Sequence, residues 1–289
     1  SSAASDVYKR QVQTGSIKSQ LENPDLKWET TTELNVGLDF GFLNNRITGS
    51  FEYFHKVVSD LLAFRKLNSL MEVSTIADNI GATQSTGYEF SLNTVNLTGP
   101  FKWNTTLNIS SYNDRWKERN PDVVLAPYEK EDAPIRAIYG CVSDGILQIG
   151  ETPPASMPDL LPGQMKVKDL NGFDPNDGSK LLGHPDGKID AADRIYLGST
   201  DPKVIIGFGN MFEYKNFDLN IFFYGMFGQY VANSNRAKYG PSGCEYILQR
   251  QNYSKEVLER WTPDNPTNKF PSGFYSAYYG GDDWLLEKV

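Results

Sequence analysis

Hydrophobic and polar residues alternate along short stretches of this chain, most clearly at positions 33–53. From Leu34 to Phe42 every even position is apolar and every odd position is polar or glycine. After Asn44-Asn45 the alternation resumes at Ile47. A period of two predicts a β-strand, and a short polar turn between two such runs predicts a hairpin.

Two further hairpins follow from the same pattern. Residues 88–93 and 103–110 alternate on either side of Gly99-Pro100, and residues 204–212 and 217–223 alternate around the turn "EYKN". The final "DDWLLEKV" resembles the opening of another strand. We therefore expect about six strands and the beginning of a seventh.

The connections between the hairpins differ in length from the turns within them. Residues 57–85, 113–202 and 228–282 are long and rich in Asp, Pro, Gly, Ser and Tyr. If every strand reverses direction, all three tight turns fall at one end of the sheet and all long loops at the other. Membrane barrels sort their turns and loops in this way, whereas a soluble β-sandwich has no reason to do so.

The predicted fold class is therefore all-β, an antiparallel transmembrane β-barrel fragment with long extracellular loops. One short loop helix is expected in "SKEVLERWTPDNP", where Val257, Leu258 and Trp261 have helical spacing and Pro263 ends it. The apolar stripe beginning at Leu34 is expected to face lipid. The opposite stripe is expected to face an enclosed lumen, and its residues are Glu33, Asn35, Asp39, Thr48 and Glu52. Aromatic residues near strand ends fit either interfacial girdles or an ordinary core, and they are Tyr53, Phe54, Trp103, Tyr214 and Tyr224.

Composition excludes several classes of function. Hydrophobic residues make up 39% of the 289 positions and aromatic residues 13%, which favours a folded, β-rich protein. The formal net charge of −8 argues against nucleic-acid binding. With only His55 and His184, and no nucleophile elbow or phosphate-binding loop, the sequence predicts no enzyme. Cys141 and Cys244 are too few for a disulfide framework, and whether they pair is left open.

Residues 1–11, "SSAASDVYKRQ", share no pattern with the rest of the chain. They match the in-frame translation of a transposon-type sequencing adapter, and a natural polar linker is the alternative. We expect residues 12–289 to be a partial β-barrel, incomplete at both ends.

The clearest chemical motif is the acidic stretch at residues 168–194. Oxygen ligands alternating at short spacing suit Ca²⁺, which needs six to eight oxygens around one centre. The candidate metal ligands are Asp169, Asn171, Asp186, Lys188 through its carbonyl, Asp190 and Asp193. The stretch "FDPNDGSKLLGHP" interrupts the spacing, so it has to loop out for a site to close, and its Asp174, Asn176 and Asp177 are substitute ligands. A solvated turn whose aspartates cap local backbone is the competing interpretation.

Aromatic residues also collect in the last long connection. They are suited to stacking on sugar rings, to contacting a partner protein, or simply to packing the loops together. No ligand is assigned to them individually, and they are Tyr230, Tyr239, Tyr246, Tyr253, Phe274, Tyr275, Tyr278 and Tyr279.

Six separate motifs, in order, resemble the C-terminal barrel region of SusC/RagA-type TonB-dependent outer-membrane transporters. They are "NPDLKWETTTELNVGLDFGFLNNRITGSFEYF", "TGYEFSLNT…FKWNTTLNIS", "IYGCVSDGILQ", "PGQMKVKDLNG…DGKIDAADR", "GFGNMFEYKNFDLNIFFYGMFGQ" and "VLERWTPDNP". The resemblance extends from Leu21 to Val289. It implies a 22-stranded barrel in the Gram-negative outer membrane, filled by an N-terminal plug.

The same resemblance implies the function and the partners. Such transporters import oligosaccharides or peptides with a SusD-like surface lipoprotein, using energy passed from TonB. The plug and the TonB-contacting segment are expected outside this chain. The alternative is a secreted, calcium-stabilised β-rich binding or adhesion module, which would bury its apolar stripes beneath a second sheet.

Overall fold

A computed structural model of the chain describes residues 22–67, 75–233, 253–272 and 286–288. In this part of the chain the regular secondary structure is almost entirely β, with two short 3₁₀ helices in the long connections. The strands are β1 (Thr30–Phe42), β2 (Ile47–Ser59), β3 (Leu62–Lys66), β4 (Thr75–Asn79), β5 (Ala82–Thr98), β6 (Phe101–Glu118), β7 (Ala137–Gly140), β8 (Ser143–Ile146), β9 (Met165–Val167), β10 (Phe173–Asp174), β11 (Asp177–Leu181), β12 (Ile195–Ser199), β13 (Val204–Tyr214), β14 (Phe217–Phe227), β15 (Tyr230–Ala232) and β16 (Leu286–Lys288).

Six of these strands form one antiparallel sheet in the order β1-β2-β5-β6-β13-β14. The three predicted hairpins are confirmed, and they are the pairs β1-β2, β5-β6 and β13-β14. Their tight turns all lie at one end of the sheet, and the connections β2-β5 and β6-β13 lie at the other. The short strand β16 pairs with β15, as expected for the opening of a further strand.

Local chemistry fixes the turn end of the sheet. Asn44 and Asn45 adopt left-handed φ angles of 53° and 63°, a conformation that asparagine tolerates better than most residues. The guanidinium of Arg46 donates to the backbone oxygens of Val95 (3.0 Å) and Asn96 (2.6 Å), where β5 carries a bulge. Arg46 thereby ties the first turn to the second hairpin.

The register aligns apolar residues in rows across the whole sheet. One row runs Leu38, Phe51, Phe90, Ile109 and Ile206 over five successive strands. We call this side the apolar face. The side chain of Leu38 is 66% exposed on it, and no second sheet covers it in the described part of the chain. A soluble β-sandwich would bury such a face under another sheet, so this sheet is not half of a sandwich within the described residues.

The hydrophobic core lies in the long connections rather than under the sheet. Its members in contact are Cys141, Leu147, Met157, Leu160 and Val167, all nearly inaccessible to solvent. We call residues 119–203 and 253–272 the loop module.

A buried indole and several hydrogen bonds hold the segment 253–272 to the rest of the loop module, among them Ser272 N–H to Gly163 O at 2.7 Å and Ile146 N–H to Asn268 Oδ1 at 3.1 Å. The ring N–H of Trp261 donates to Gln148 Oε1 at 2.8 Å, and Trp261 is 4% exposed. The predicted loop helix is present as a short 3₁₀ helix at Lys255–Glu259. Leu258, which the helical spacing placed on an apolar side, is instead 82% exposed.

Among the described residues no helix is both long and apolar enough to cross a bilayer. Residues 1–11 and Cys244 lie outside the described residues, so the adapter interpretation and a Cys141–Cys244 pair remain predictions.

Candidate functional site

The second side of the sheet, which we call the polar face, carries the predicted lumen residues. Asp39, Ser50, Ser91 and Asn108 share one row, and Glu52 stands directly opposite Glu89 in the next. The hydroxyls of Ser50 and Ser91 lie 2.8 Å apart. A depression of about 400 Å³ on this face is lined by these serines and glutamates. The predicted polar stripe is thus present across β1, β2, β5 and β6.

The strand register places three of the five predicted girdle residues on the expected side of the sheet. Tyr53, Trp103 and Tyr214 lie on the apolar face, where a girdle residue belongs. Phe54 pairs with Gly87, and Tyr224 pairs with Gly207, so both lie on the polar face. The prediction was wrong for Phe54 and Tyr224 because one step along a strand moves a side chain to the opposite side.

Sequence periodicity missed a polar cluster on the apolar face. Asn210 Oδ1 accepts hydrogen bonds from Trp103 Nε1 (2.9 Å) and from the Thr105 hydroxyl (2.8 Å). Asn96, the bulged residue of β5, donates to the Thr105 hydroxyl at 2.7 Å and accepts from Thr94. In the sequence, Asn210 interrupts the apolar alternation of residues 204–212, and this interruption was the signal that could have revealed the cluster. These hydrogen bonds join three strands, β5, β6 and β13.

In the acidic stretch the interrupting residues do loop out. Phe173–Asp174 and Asp177–Leu181 form a small hairpin, β10-β11, and the N–H of Leu182 donates to Gly172 O at 2.9 Å to close its base. Asp169 and Asp186, seventeen positions apart in sequence, are therefore neighbours. A Cβ on Gly172 would lie 2.5 Å from Asp186 Cγ, so only glycine fits beside this carboxylate.

Asp193 organises the centre of the acidic loop. Its carboxylate is fully buried and accepts from the backbone N–H of Leu170 (2.7 Å), Asn171 (3.2 Å) and Asp190 (2.8 Å). Asp190 in turn caps the 3₁₀ helix Ala191–Asp193 by accepting from Ala192 N–H at 2.7 Å. Three backbone N–H groups from two separate segments thus converge on this one carboxylate.

The first half of the acidic loop follows the same principle. Asp169 accepts from the N–H groups of Asp186 (3.3 Å) and Gly187 (2.8 Å), and Asp186 accepts from Lys188 N–H at 3.0 Å. The carboxylates predicted as ligands thus cap local backbone, as the competing interpretation proposed. Capping leaves lone pairs on these oxygens, so it does not by itself prevent coordination.

Two observations bear on whether a cation fits. Asn171 Oδ1 is buried and has no hydrogen-bond partner among the described residues, which leaves an oxygen ligand unused. In the same part of the chain, no three His, Cys, Asp or Glu side chains converge in a metal-binding arrangement. The oxygens fit Ca²⁺ in chemical type, and closure around an ion requires the carboxylates to move closer together.

Of the aromatic residues predicted in the last connection, Tyr230 and Tyr253 are described by the structure. The others lie outside the described residues, so the prediction of an aromatic surface there remains a prediction.

The six-stranded antiparallel sheet, with one uncovered apolar face and turns sorted to one end, defines the class as the wall of a membrane β-barrel. The family described as TonB dependent receptor-like, beta-barrel, matches residues 3–155. The chain belongs to this family.

Several known proteins are similar to the chain. TonB-dependent receptor P3 of Formosa agariphila is 31% identical over 275 residues, covering 89% of this chain and 25% of that protein. TonB-dependent receptor SusC of Bacteroides thetaiotaomicron is 29% identical over 241 residues, covering 82% of this chain and 23% of that protein. These relatives are receptors rather than enzymes. The chain spans about a quarter of the length of the curated relatives it matches.

Among solved structures, that of the RagAB peptide transporter matches with a TM-score of 0.68 and 20% sequence identity. The match covers 93% of this chain and 28% of that chain. At this identity the match supports the fold, and it confirms the antiparallel barrel architecture predicted from the alternation.

Proposed function

We propose that the protein containing this chain is an outer-membrane importer of oligosaccharides or peptides. It acts with a SusD-like surface lipoprotein and draws energy from TonB. The observation that carries this proposal is the family match over residues 3–155. The uncovered apolar face supports it, because acyl chains are the environment in which such a face is stable.

The two faces of the sheet then have different tasks. The apolar face contacts acyl chains, while the polar face borders the lumen through which substrate passes. The long loops at the far end lie at the cell surface, where they contact substrate and the lipoprotein. The plug and the TonB-contacting segment belong to the part of the protein outside this chain.

The names of the relatives give one indication of substrate. SusC is a TonB-dependent receptor by name, and RagAB is named a peptide transporter. Oligosaccharides and peptides differ in chemistry, so the choice between them has to come from this chain's own residues.

The test uses the full-length protein in its native outer membrane. We expect it to float with outer membranes on a density gradient and to co-purify with a lipoprotein. Deleting its gene should abolish growth on one oligosaccharide or peptide source, and so should deleting TonB. Recovery of the intact protein in a soluble fraction, or unchanged growth of the deletion strain on all such sources, would contradict the proposal.

A second proposal concerns the acidic loop, namely that Ca²⁺ binds there and fixes the loop at the cell surface. The unpartnered Asn171 Oδ1 favours this over a purely backbone-capped turn. Asp169, Asn171, Asp186, Asp190, Asp193 and the Lys188 carbonyl would hold the ion. The ion would add a crosslink between two segments that hydrogen bonds already join.

The calcium proposal is tested by thermal denaturation of the full-length protein in excess Ca²⁺, Mg²⁺ or EDTA. We expect Ca²⁺ alone to raise the melting temperature and Asn171→Ala to remove the increase. Lys180→Ala, on the exposed β10-β11 hairpin, is the control and should keep the full response. Equal melting temperatures in all three buffers would show that the loop is held by backbone capping only.

A further inference from the structure

A cavity of about 450 Å³ lies where the loop module meets the sheet. Strand β13 pairs with β6 only as far as Ser110, while β6 continues to Glu118. Residues 111–113 of β6 therefore do not pair with β13 on the side beside the cavity. The segment at Pro134 covers the end of β6 on this side through hydrogen bonds to Asp114 O and Trp116 N–H. The cavity occupies the gap between this segment and the start of β13.

One wall of the cavity is a supported aromatic ring. Tyr196 is 48% exposed, and Tyr139, its partner across β12 and β7, packs against it in an edge-to-face arrangement with ring centroids 6.0 Å apart. Tyr128 continues the row, 5.6 Å from Tyr139. Partial burial raises the pKa of Tyr196 above its ordinary value, so its hydroxyl remains protonated at physiological pH and can donate. An aromatic ring that packs against a second ring and keeps one side exposed to solvent is a rigid surface on which a ligand ring can stack.

The other residues that line this cavity supply hydrogen-bond donors and acceptors, and their charges sum to zero. Asp114 and Asp201 contribute two carboxylates, and Arg115 and Lys203 contribute two cations. Asp201 is held in place by the Arg136 guanidinium at 3.5 Å and by the Ser199 hydroxyl at 3.3 Å. Such a set matches a ligand with many hydroxyls, each of which both donates and accepts.

A second cavity, of about 390 Å³, shares Tyr112 and Asp114 with the first. It continues along the polar face to Phe54 and Lys56. The two cavities therefore adjoin at Tyr112 and Asp114. We call them together the groove, which leads from the loop module onto the polar face of the sheet.

We propose that this groove binds a neutral oligosaccharide, with one sugar ring stacked on Tyr196 and the next units hydrogen-bonded by Asp201 and Asp114. The inference rests on the proposed import function and assigns its substrate class. The C–H groups on one side of a sugar ring pack against the electron-rich side of an aromatic ring. A charged peptide is less well matched to the cavity at Tyr196, because the two carboxylates and two cations that line that cavity carry no net charge.

The experiment measures binding to the full-length protein, purified in detergent, by isothermal titration calorimetry. The probes are malto-, laminari-, cello-, xylo- and mannohexaose, and a tryptic digest of casein serves as the peptide probe. We expect at least one hexasaccharide to bind. Tyr196→Ala should weaken that binding about tenfold, whereas Tyr196→Trp should retain it. Ile195→Ala, on the other side of the same strand, is the matched control and should bind like the unmodified protein.

Retention of the heat-modifiable migration of the folded barrel on gels shows that each variant is folded. Should Tyr196→Ala fail to fold, Asp114→Asn is the second variant, with a severalfold loss of hexasaccharide binding expected. No binding of any hexasaccharide, unchanged affinity in the folded variants, or binding of casein peptides that depends on Tyr196 would each overturn the inference. In each of these cases, TonB-dependent growth on another nutrient would still support the import function. Failure of the oligosaccharide inference is therefore distinguishable from failure of the proposed function.

Discussion

The indole N–H of Trp103 donates to the side-chain oxygen of Asn210 across strands β6 and β13, at 2.9 Å, on the otherwise apolar face. A polar side chain exposed to acyl chains is tolerated when its hydrogen bonds are made within the protein. The Trp103–Asn210 pair therefore explains how an asparagine persists on this face.

We predict that Asn210→Leu lowers the unfolding free energy of the full-length barrel by about 1 to 2 kcal/mol. The substitution leaves the Trp103 N–H and the Thr105 hydroxyl without their shared acceptor, although it adds apolar surface. Urea unfolding followed by tryptophan fluorescence measures the change. Asn104→Leu, on the polar face beside Trp103, is the control, and an equal loss there would show that the network contributes nothing specific.

Charge on the apolar face should be far less tolerated than charge on the polar face. Val36→Arg and Leu107→Arg are each expected to cost about 2 to 4 kcal/mol at mid-bilayer depth, against about 0 to 1 kcal/mol near an interface. Asn35→Arg, on the polar face of the same strand as Val36, should be milder. Folding yields in outer membranes provide the measurement. Equal tolerance at all three positions would be inconsistent with a lipid-facing stripe.

Asp193→Ala should open the acidic loop whether or not Ca²⁺ is present. The change removes the acceptor for three backbone N–H groups, and each unsatisfied buried donor costs about 1 to 3 kcal/mol. Limited proteolysis in EDTA should show new cleavage within residues 169–193. Asp177→Ala, at the exposed hairpin, serves as the comparison, and a cleavage pattern like that of Asp193→Ala would contradict the central position of Asp193.

The loop module should lose stability in acid partly through Glu151. The ammonium of Lys166, 2.6 Å away, and the N–H of Gln148 hold the pKa of Glu151 below its ordinary value of 4.5. Because the folded pKa is depressed, this contribution is complete above pH 4.5 and is lost as the pH falls through the lowered value. The rate of proteolysis of residues 147–167 between pH 3 and 6 measures it. Glu151→Gln should flatten this profile, whereas Glu131→Gln should not.

Gly163 should accept no side chain, because a Cβ there would overlap the ring of Trp261. Gly163 and Gly150 both have left-handed φ angles, of 90° and 83°, but Gly150 has open space around it. Gly150→Ala should cost about 1 to 2 kcal/mol from backbone strain alone. Gly163→Ala should cost more and release residues 253–272, as detected by hydrogen exchange. Identical effects would mean that the Trp261 contact is not tight.

Several features followed from the sequence because they depend on near neighbours. The alternation around Leu34 and Ile47 set the hairpin, and the asparagines between them supplied the turn. The positions of Leu258, Phe54 and Tyr224 did not follow. For Leu258, helical spacing does not tell which side of a single 3₁₀ turn is covered by the rest of the protein. For Phe54 and Tyr224, the strand register places the side chain on the polar face, and an aromatic residue near a strand end can lie on either face.

By itself, the sequence determined the six strands of the main sheet, their pairing into hairpins and the division into apolar and polar faces, because a two-residue period and local turn preferences act within a dozen positions. It did not predict the short strands within the long connections, β3, β4 and β7–β12. Only the tertiary structure decided that Asp169 and Asp186 are neighbours across an intervening hairpin, that Asn96, Thr105 and Asn210 form one network, and that Tyr196 stands over a groove. Those relationships join segments far apart in the chain. They arise from strand register and loop packing, which no local pattern specifies.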